Sequence, residues 1–164
     1  IPFIQSGSEF LKTKQGDHNS YKSNDYINSI KWSDKERFID VFKYNKGLIE
    51  IRKNLPHFKI KDPKIIKSNA TFIFGGNNES CGVLLQHINL NDFGKGEVLV
   101  IYNGTNIENY NVTSYAPLAQ NGYWNIIANE STAGMKVLNT IYNNQIPALR
   151  TFSIMILCSN LNLN

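Results

Sequence analysis

The chain has few cysteines, few prolines, no long apolar run and no dense block of charge, and each shortage closes off a class of protein. Cys81 and Cys158 are the only thiols among its 164 residues. A disulfide-stapled scaffold is therefore excluded, as is a zinc site built on Cys-x-x-Cys spacing. Their wide separation favours two buried free thiols over one disulfide. No apolar stretch approaches the roughly 20 residues that a membrane helix needs, so no membrane partner is expected. The 17 basic and 13 acidic residues leave a formal charge of only +4, with Lys and Arg scattered mostly before Lys67. That footprint is too weak for a nucleic-acid partner. The shortages extend to chemistry. No G-x-S-x-G elbow, Walker loop or H-E-x-x-H occurs, and His18, His57 and His87 stand apart from metal or triad partners. No metal and no cofactor is expected. The sequons at Asn69, Asn78, Asn103, Asn111 and Asn129 are what chance supplies in so Asn-rich a chain.

What is present divides into two patterns. Ile1–Ile4 is short and apolar, the profile of a fully buried strand, with Gly7 and Glu9 just beyond its carboxyl end. Residues 12–28 are polar and Gly-, Asn- and Asp-rich, so they read as a long loop, and loops of that length are often functional. Ser33 followed by Glu36 has the capping-box spacing. After it Phe38, Val41, Phe42, Leu48, Ile49 and Ile51 recur at helical intervals, with Trp32 placed to staple the first turn. Pro56 ends this helix near Asn54. A lone strand–loop–helix unit cannot cover a parallel strand on both faces, so the opening reads as the last piece of a larger α/β domain.

Beyond Pro63 the period shortens to two. Thr71–Phe74, Gly82–Ile88, Glu97–Asn103, Val112–Leu118, Tyr123–Ala128 and Thr151–Cys158 read as strands, rich in β-branched and aromatic residues. Turn clusters separate them, among them residues 75–78, 91–96, 103–105 and 121–122. The spacing suggests an antiparallel sandwich spanning 64–164, joined to the helix by a packed junction near Ile60–Lys64.

The run IPFIQSGSEFLKTKQGDHNSYKSNDYINSIKW, followed by YNKGLIEIRKNLPHF, resembles the C-terminal end of the catalytic barrel in type I pullulanases. These are debranching glycoside hydrolases of the α-amylase superfamily. Ile1-Pro2-Phe3-Ile4 with Gly7-Ser8-Glu9 resembles the block at the eighth barrel strand, lacking its leading Gly. Gly16 to Tyr21, GDHNSY, with Asp25 and Asn28 downstream, is the more specific signal. Gly47 to Lys53 resembles the eighth barrel helix. Less closely, Gly96–Asn106 and Ile146–Leu157 resemble strands of the β-sandwich that follows the barrel in this superfamily.

The resemblance implies a fold: residues 1–60 as the last strand, substrate loop and helix of a (β/α)8 barrel, then the sandwich. It implies a parent that cleaves α-1,6-glucosidic branch linkages in pullulan, glycogen or branched dextrins with retention, through a covalent glycosyl-enzyme. The nucleophile Asp and acid/base Glu of the family lie on earlier barrel strands, and neither motif occurs in this chain. Without both carboxylates neither leaving-group protonation nor nucleophilic attack is available, so the chain alone is expected to be inactive. Its expected partners are the α-glucan and the remainder of the barrel, and calcium is left open. Asn19, Tyr21 and Asp25 are the residues expected to touch sugar, because glucan recognition pairs hydroxyl hydrogen bonds with an aromatic face. Asp17 and His18 are expected to shape the loop, and Glu9 to end the strand in an internal network. Alternatives are an isoamylase or amylopullulanase, or a non-catalytic carbohydrate-binding sandwich, for which Tyr115, Tyr123, Trp124 and Tyr142 are the aromatics that matter.

Overall fold

In the computed structural model of the protein, residues 2–75 and 82–160 are described. Ile1, residues 76–78 of the expected turn cluster with the Asn78 sequon, and Cys81 lie outside them. The chain forms two compact units, Ile1–Lys46 and Gly47–Asn164.

The first unit is mostly turns and short helices. Residues 2–5 belong to no strand, and Phe3 and Ile4 are exposed, Phe3 to 96%. The strand read at the start is not formed among these residues, because an apolar run becomes a strand only when a neighbour accepts its ladder bonds. Helix α1 covers Asp25–Asn28 and is capped by the Asn24 side chain, which accepts from Ile27 N. The single long helix expected from Ser33 is two helices, α2 at Ser33–Arg37 and α3 at Ile39–Asn54, interrupted where Phe38 leaves helical geometry. The capping box does not form. Trp32 already has helical backbone angles, so Ser33 lies inside the helix rather than at its cap, and no side chain caps the start. The Trp32 ring instead lies 5.9 Å from that of Phe10, which is buried. The end of α3 at Asn54, before Pro56, is as expected.

The second unit is one antiparallel sheet with cover on both faces. Its strands are β1 (Ala70–Gly75), β2 (Val83–Asn89), β3 (Glu97–Asn103), β4 (Tyr123–Ala128), β5 (Asn139–Tyr142) and β6 (Ser153–Cys158), in the order β1-β2-β3-β6-β4-β5. Strand β3 is central and buried on both sides, which explains its unbroken Val98-Leu99-Val100-Ile101 run. Val98 and Val100 pack with Ile156, Ile127 and with Ile51 and Leu55 at the end of α3. Leu99 and Ile101 pack with Val83, Leu85, Trp124 and Leu157, beneath Val112, Ala119, Ile146 and Leu149. Gly47 shows how closely the Gly47–Asn54 part of α3 packs within this unit. A Cβ built there would come within 1.9 Å of the Ala133 carbonyl oxygen.

Three elements differ from expectation. Residues 112–118 are a turn, not a strand: Thr113 N donates to Asn111 Oδ1, and the Tyr115 and Ala116 N–H groups donate back to Val112 O. Asn111 and Pro117 curl the segment into a lid over one sheet face, held by a bridge between Tyr110 and Leu149. Strand β5 has only four residues, too short to stand out in the sequence pattern. Helix α4 at Pro63–Asn69 is likewise an addition, although Asp62 as N-cap and Pro63 as first helical residue mark it. Among the described residues there is one sheet, and irregular segments rather than a second sheet cover its Leu99 face.

Candidate functional site

The polar segment from Gly7 to Asn28 is ordered by its own side chains. Gly7 has φ of 91°, a left-handed turn that glycine adopts without strain. Its N–H donates to Glu9 Oε2 at 2.9 Å, and its carbonyl accepts from Lys12 N at 2.8 Å. Glu9 is thereby engaged with backbone in its own turn. Asp17 is engaged in the same way. Its carboxylate accepts from Asn19 N at 3.0 Å and from the Ser23 hydroxyl. The Ser23 hydroxyl first, then the Asn19 N–H, hold this carboxyl below the usual carboxylate range, with Lys14 adding to the effect.

Asn28 ties the two ends of the loop together. Its Nδ2 donates to Ser20 O at 2.8 Å and Ser23 O at 2.7 Å, its Oδ1 accepts from Lys14 Nζ, and its carbonyl accepts from Lys12 Nζ at 2.8 Å. Sequence reasoning marks Asn28 only as part of a motif. An amide that both donates and accepts at the end of a polar loop is the signal that identifies such a hub.

Against this framework, Asn19, Tyr21 and Asp25 all present exposed side chains, as does His18. Tyr21 is 76% exposed, with Lys22 Nζ 5.3 Å from its ring centre. Asp25 opens α1. Tyr26, not singled out from the sequence, is a second exposed aromatic of the segment, with Lys31 Nζ 4.8 Å from its ring centre. With Glu9 and Asp17 held by N–H and O–H donors, the segment offers hydrogen-bonding groups and aromatic faces rather than a pair of free carboxylates. No group of three or more His, Cys, Asp or Glu side chains able to hold a metal occurs among the described residues.

The second unit holds a separate polar cluster. Glu97 is buried and accepts from Gln120 N at 2.8 Å and Asn89 Nδ2 at 3.1 Å, with His87 Nε2 at 3.4 Å. His57, isolated in sequence, hydrogen-bonds through Nε2 to Gly96 O at 3.1 Å. Burial lowers the pKa of both imidazoles, opposed at His57 by its bond to Gly96 and at His87 by the Glu97 carboxylate. His87 lines a polar depression of about 460 Å³ with Thr71, Asn89, Asp92 and Gln120. Burial pushes the Cys158 thiol up to about 12, leaving it inert as a nucleophile.

Comparison with known proteins shows what the chain as a whole resembles. The chain is 46% identical over 61 residues to a pullulanase of Bacillus subtilis (strain 168). The structure of a pullulanase from Bacillus acidopullulyticus superposes with a TM-score of 0.78 at 28% identity over 97% of this chain. The pullulanase from Anoxybacillus sp. LM18-11 complexed with maltotetraose gives 0.77 at 24% identity over 98%, which shows the shared fold. No protein-family model matches. The chain spans 8% of the Bacillus subtilis protein and 18% of the Bacillus acidopullulyticus chain. It is thus similar to pullulanases over nearly its whole length, while corresponding to a minor part of each.

Proposed function

We propose that this chain is the C-terminal part of a type I pullulanase, a retaining glycoside hydrolase that cleaves α-1,6-glucosidic branch linkages in pullulan, glycogen or branched dextrins. The observation that carries the reading is the 46% identity over 61 residues to a pullulanase, joined to structural likeness along nearly all of the chain. In this reading residues 1–60 complete a (β/α)8 barrel and 64–164 form the β-domain that shields it. Residues 2–5 would then become the eighth strand only when neighbouring strands supply their ladder partners. Their exposure in this chain agrees with that.

The division of labour follows from the loop geometry. Asn19, Tyr21 and Asp25 contact glucan: Tyr21 offers an apolar face, and Asp25 accepts from adjacent sugar hydroxyls. Glu9, Asp17 and Asn28 hold the loop in shape, a role supported by their bonds to neighbouring backbone and hydroxyl groups. The nucleophile and the acid/base come from elsewhere in the barrel, so the 164-residue chain by itself releases no reducing ends from pullulan. A chimera tests the proposal, in which this chain replaces the matching segment of the Bacillus acidopullulyticus pullulanase. We expect pullulan hydrolysis by the chimera and none by the chain alone. A folded chimera without turnover, or clear turnover by the isolated chain, would overturn it.

A further inference from the structure

Neither strand of the hairpin formed by β4 and β5 carries a charged residue. From Asn109 to Asn129 and from Val137 to Leu149 there is not one Asp, Glu, Lys or Arg. These segments include both strands of the β4–β5 hairpin at the edge of the sheet. Tyr123 and Tyr142 are directly paired across the hairpin, and so are Asn125 and Thr140. Side chains alternate along a strand, so all four lie on one face. Tyr142 is 70% exposed and Tyr123 37%, which leaves two adjacent phenol rings open to solvent.

The polar neighbours of these rings are oriented. Thr140 Oγ1 donates to Asn125 Oδ1 at 2.8 Å, which leaves the Asn125 amide N–H groups as donors on the same face. Gln145 Oε1 accepts from Tyr142 N at 3.3 Å, which leaves the Gln145 amide N–H groups as donors. Beneath the hairpin Trp124 and Ile141 are buried, so the exposed ladder stands on a packed base. Paired aromatic faces, flanking amide and hydroxyl groups and no charge suit one kind of ligand: neutral, polyhydroxylated and with alternating apolar faces. A nucleic acid or acidic peptide would find no cation on either strand, and a purely apolar partner would strand the amide donors.

We infer that the face of the β4–β5 hairpin bearing Tyr123 and Tyr142 is an α-glucan docking surface, distinct from the Gly7–Asn28 loop, with these two tyrosines as its stacking platform. Glucan is named as the ligand on the strength of the function proposed above, and the surface would hold a polymer while cleavage takes place elsewhere in the parent. The test is affinity electrophoresis of the full chain in native gels containing glycogen, with gels lacking polysaccharide as reference. Wild type is expected to be retarded, and Y123A/Y142A to lose that retardation, with at least about tenfold weaker binding. Y123F/Y142F should keep most of it, because the ring face is retained. Thermal melts establish folding, and Y142A alone, changing the more exposed ring, serves if the double variant is unstable. Retardation unchanged in folded Y123A/Y142A, or in Y142A where only that variant folds, overturns the inference. If D25A abolishes retardation while the tyrosine variants do not, the hairpin surface is refuted and the glucan reading stands. Absence of retardation for wild type overturns the surface, and an inactive folded chimera would additionally remove the reading on which the choice of glucan rests.

Discussion

The two units of this chain are built by opposite means. Residues 2–46 hold their shape through individually placed polar bonds, with Asp17, Asn28, Lys12 and Lys14 fastening a loop, and Phe10 is the one buried apolar side chain among the described residues of this unit. Residues 47–160 rest on two apolar clusters, one on each face of the sheet. Such bonds contribute about 1 kcal/mol each, and water competes for them, whereas a buried Leu or Trp contributes several. The difference teaches where tolerance and function separate. A polar loop can carry ligand groups because its stability does not depend on hiding them. A sheet core tolerates no such exposure.

Substitutions can break or sharpen this contrast, and the largest effect is expected in the core. Trp124→Ala removes a fully buried side chain from the Leu99 face and should cost about 3–5 kcal/mol, read by urea unfolding of the full chain. A cost below about 1 kcal/mol would show that this face is not the foundation of the unit. Next in size is Gly47→Ala. Its new methyl group would meet the Ala133 backbone oxygen, which cannot swing away as a side chain tip can, so a loss of about 1–3 kcal/mol is expected. A neutral result would mean that α3 shifts freely over that backbone.

The loop should respond in binding rather than in stability. In the pullulanase chimera, Asp25→Ala is expected to lower kcat/KM on pullulan about tenfold, the loss of a charged hydrogen-bond partner. Asp17→Ala should act less on turnover and more on loop order, since its carboxylate already serves Asn19 and Ser23. Equal, near-unchanged kinetics for both variants would remove the segment from the substrate site.

The smallest expected effect is a pH dependence confined to the sheet unit. His57 and His87 have folded-state pKa values below the ordinary 6.5. Between the folded value and 6.5 the unfolded chain binds more protons, so stability falls as pH drops through 6.5 and levels off below the folded values. Thermal melts at about pH 7 and about pH 5 should show this decline. His57→Gln should flatten it, and an unchanged slope in that variant would assign the effect to other groups.

Much of this arrangement was legible without coordinates. The change from helical period to period two located the two structural regimes, because burial on one face of a helix or strand imposes its own spacing. Pro56 set the end of α3, since proline cannot continue a helix, and Glu97–Asn103 was legible as a strand, although only the sheet order makes β3 central. The exposed placement of Asn19, Tyr21 and Asp25 agrees with their reading as polar and aromatic members of a surface loop.

Tertiary structure alone decided the rest. Val112–Leu118 has strand-like composition, yet Asn111 bonding to Thr113 N curls it, and the exposed sheet face recruits it as cover. Ser33 and Glu36 have capping spacing, but the cap is lost because Trp32, whose ring lies against Phe10, already takes up a helical backbone. The strand propensity of Phe3 and Ile4 came to nothing for want of a neighbouring strand, since only backbone partners turn an apolar run into a ladder. The pairing of Tyr123 with Tyr142, and the meeting of His87 with Glu97, are likewise invisible in one dimension. Composition and period are properties of a segment by itself. Register, cover and long-range partners are properties of what the fold brings beside it.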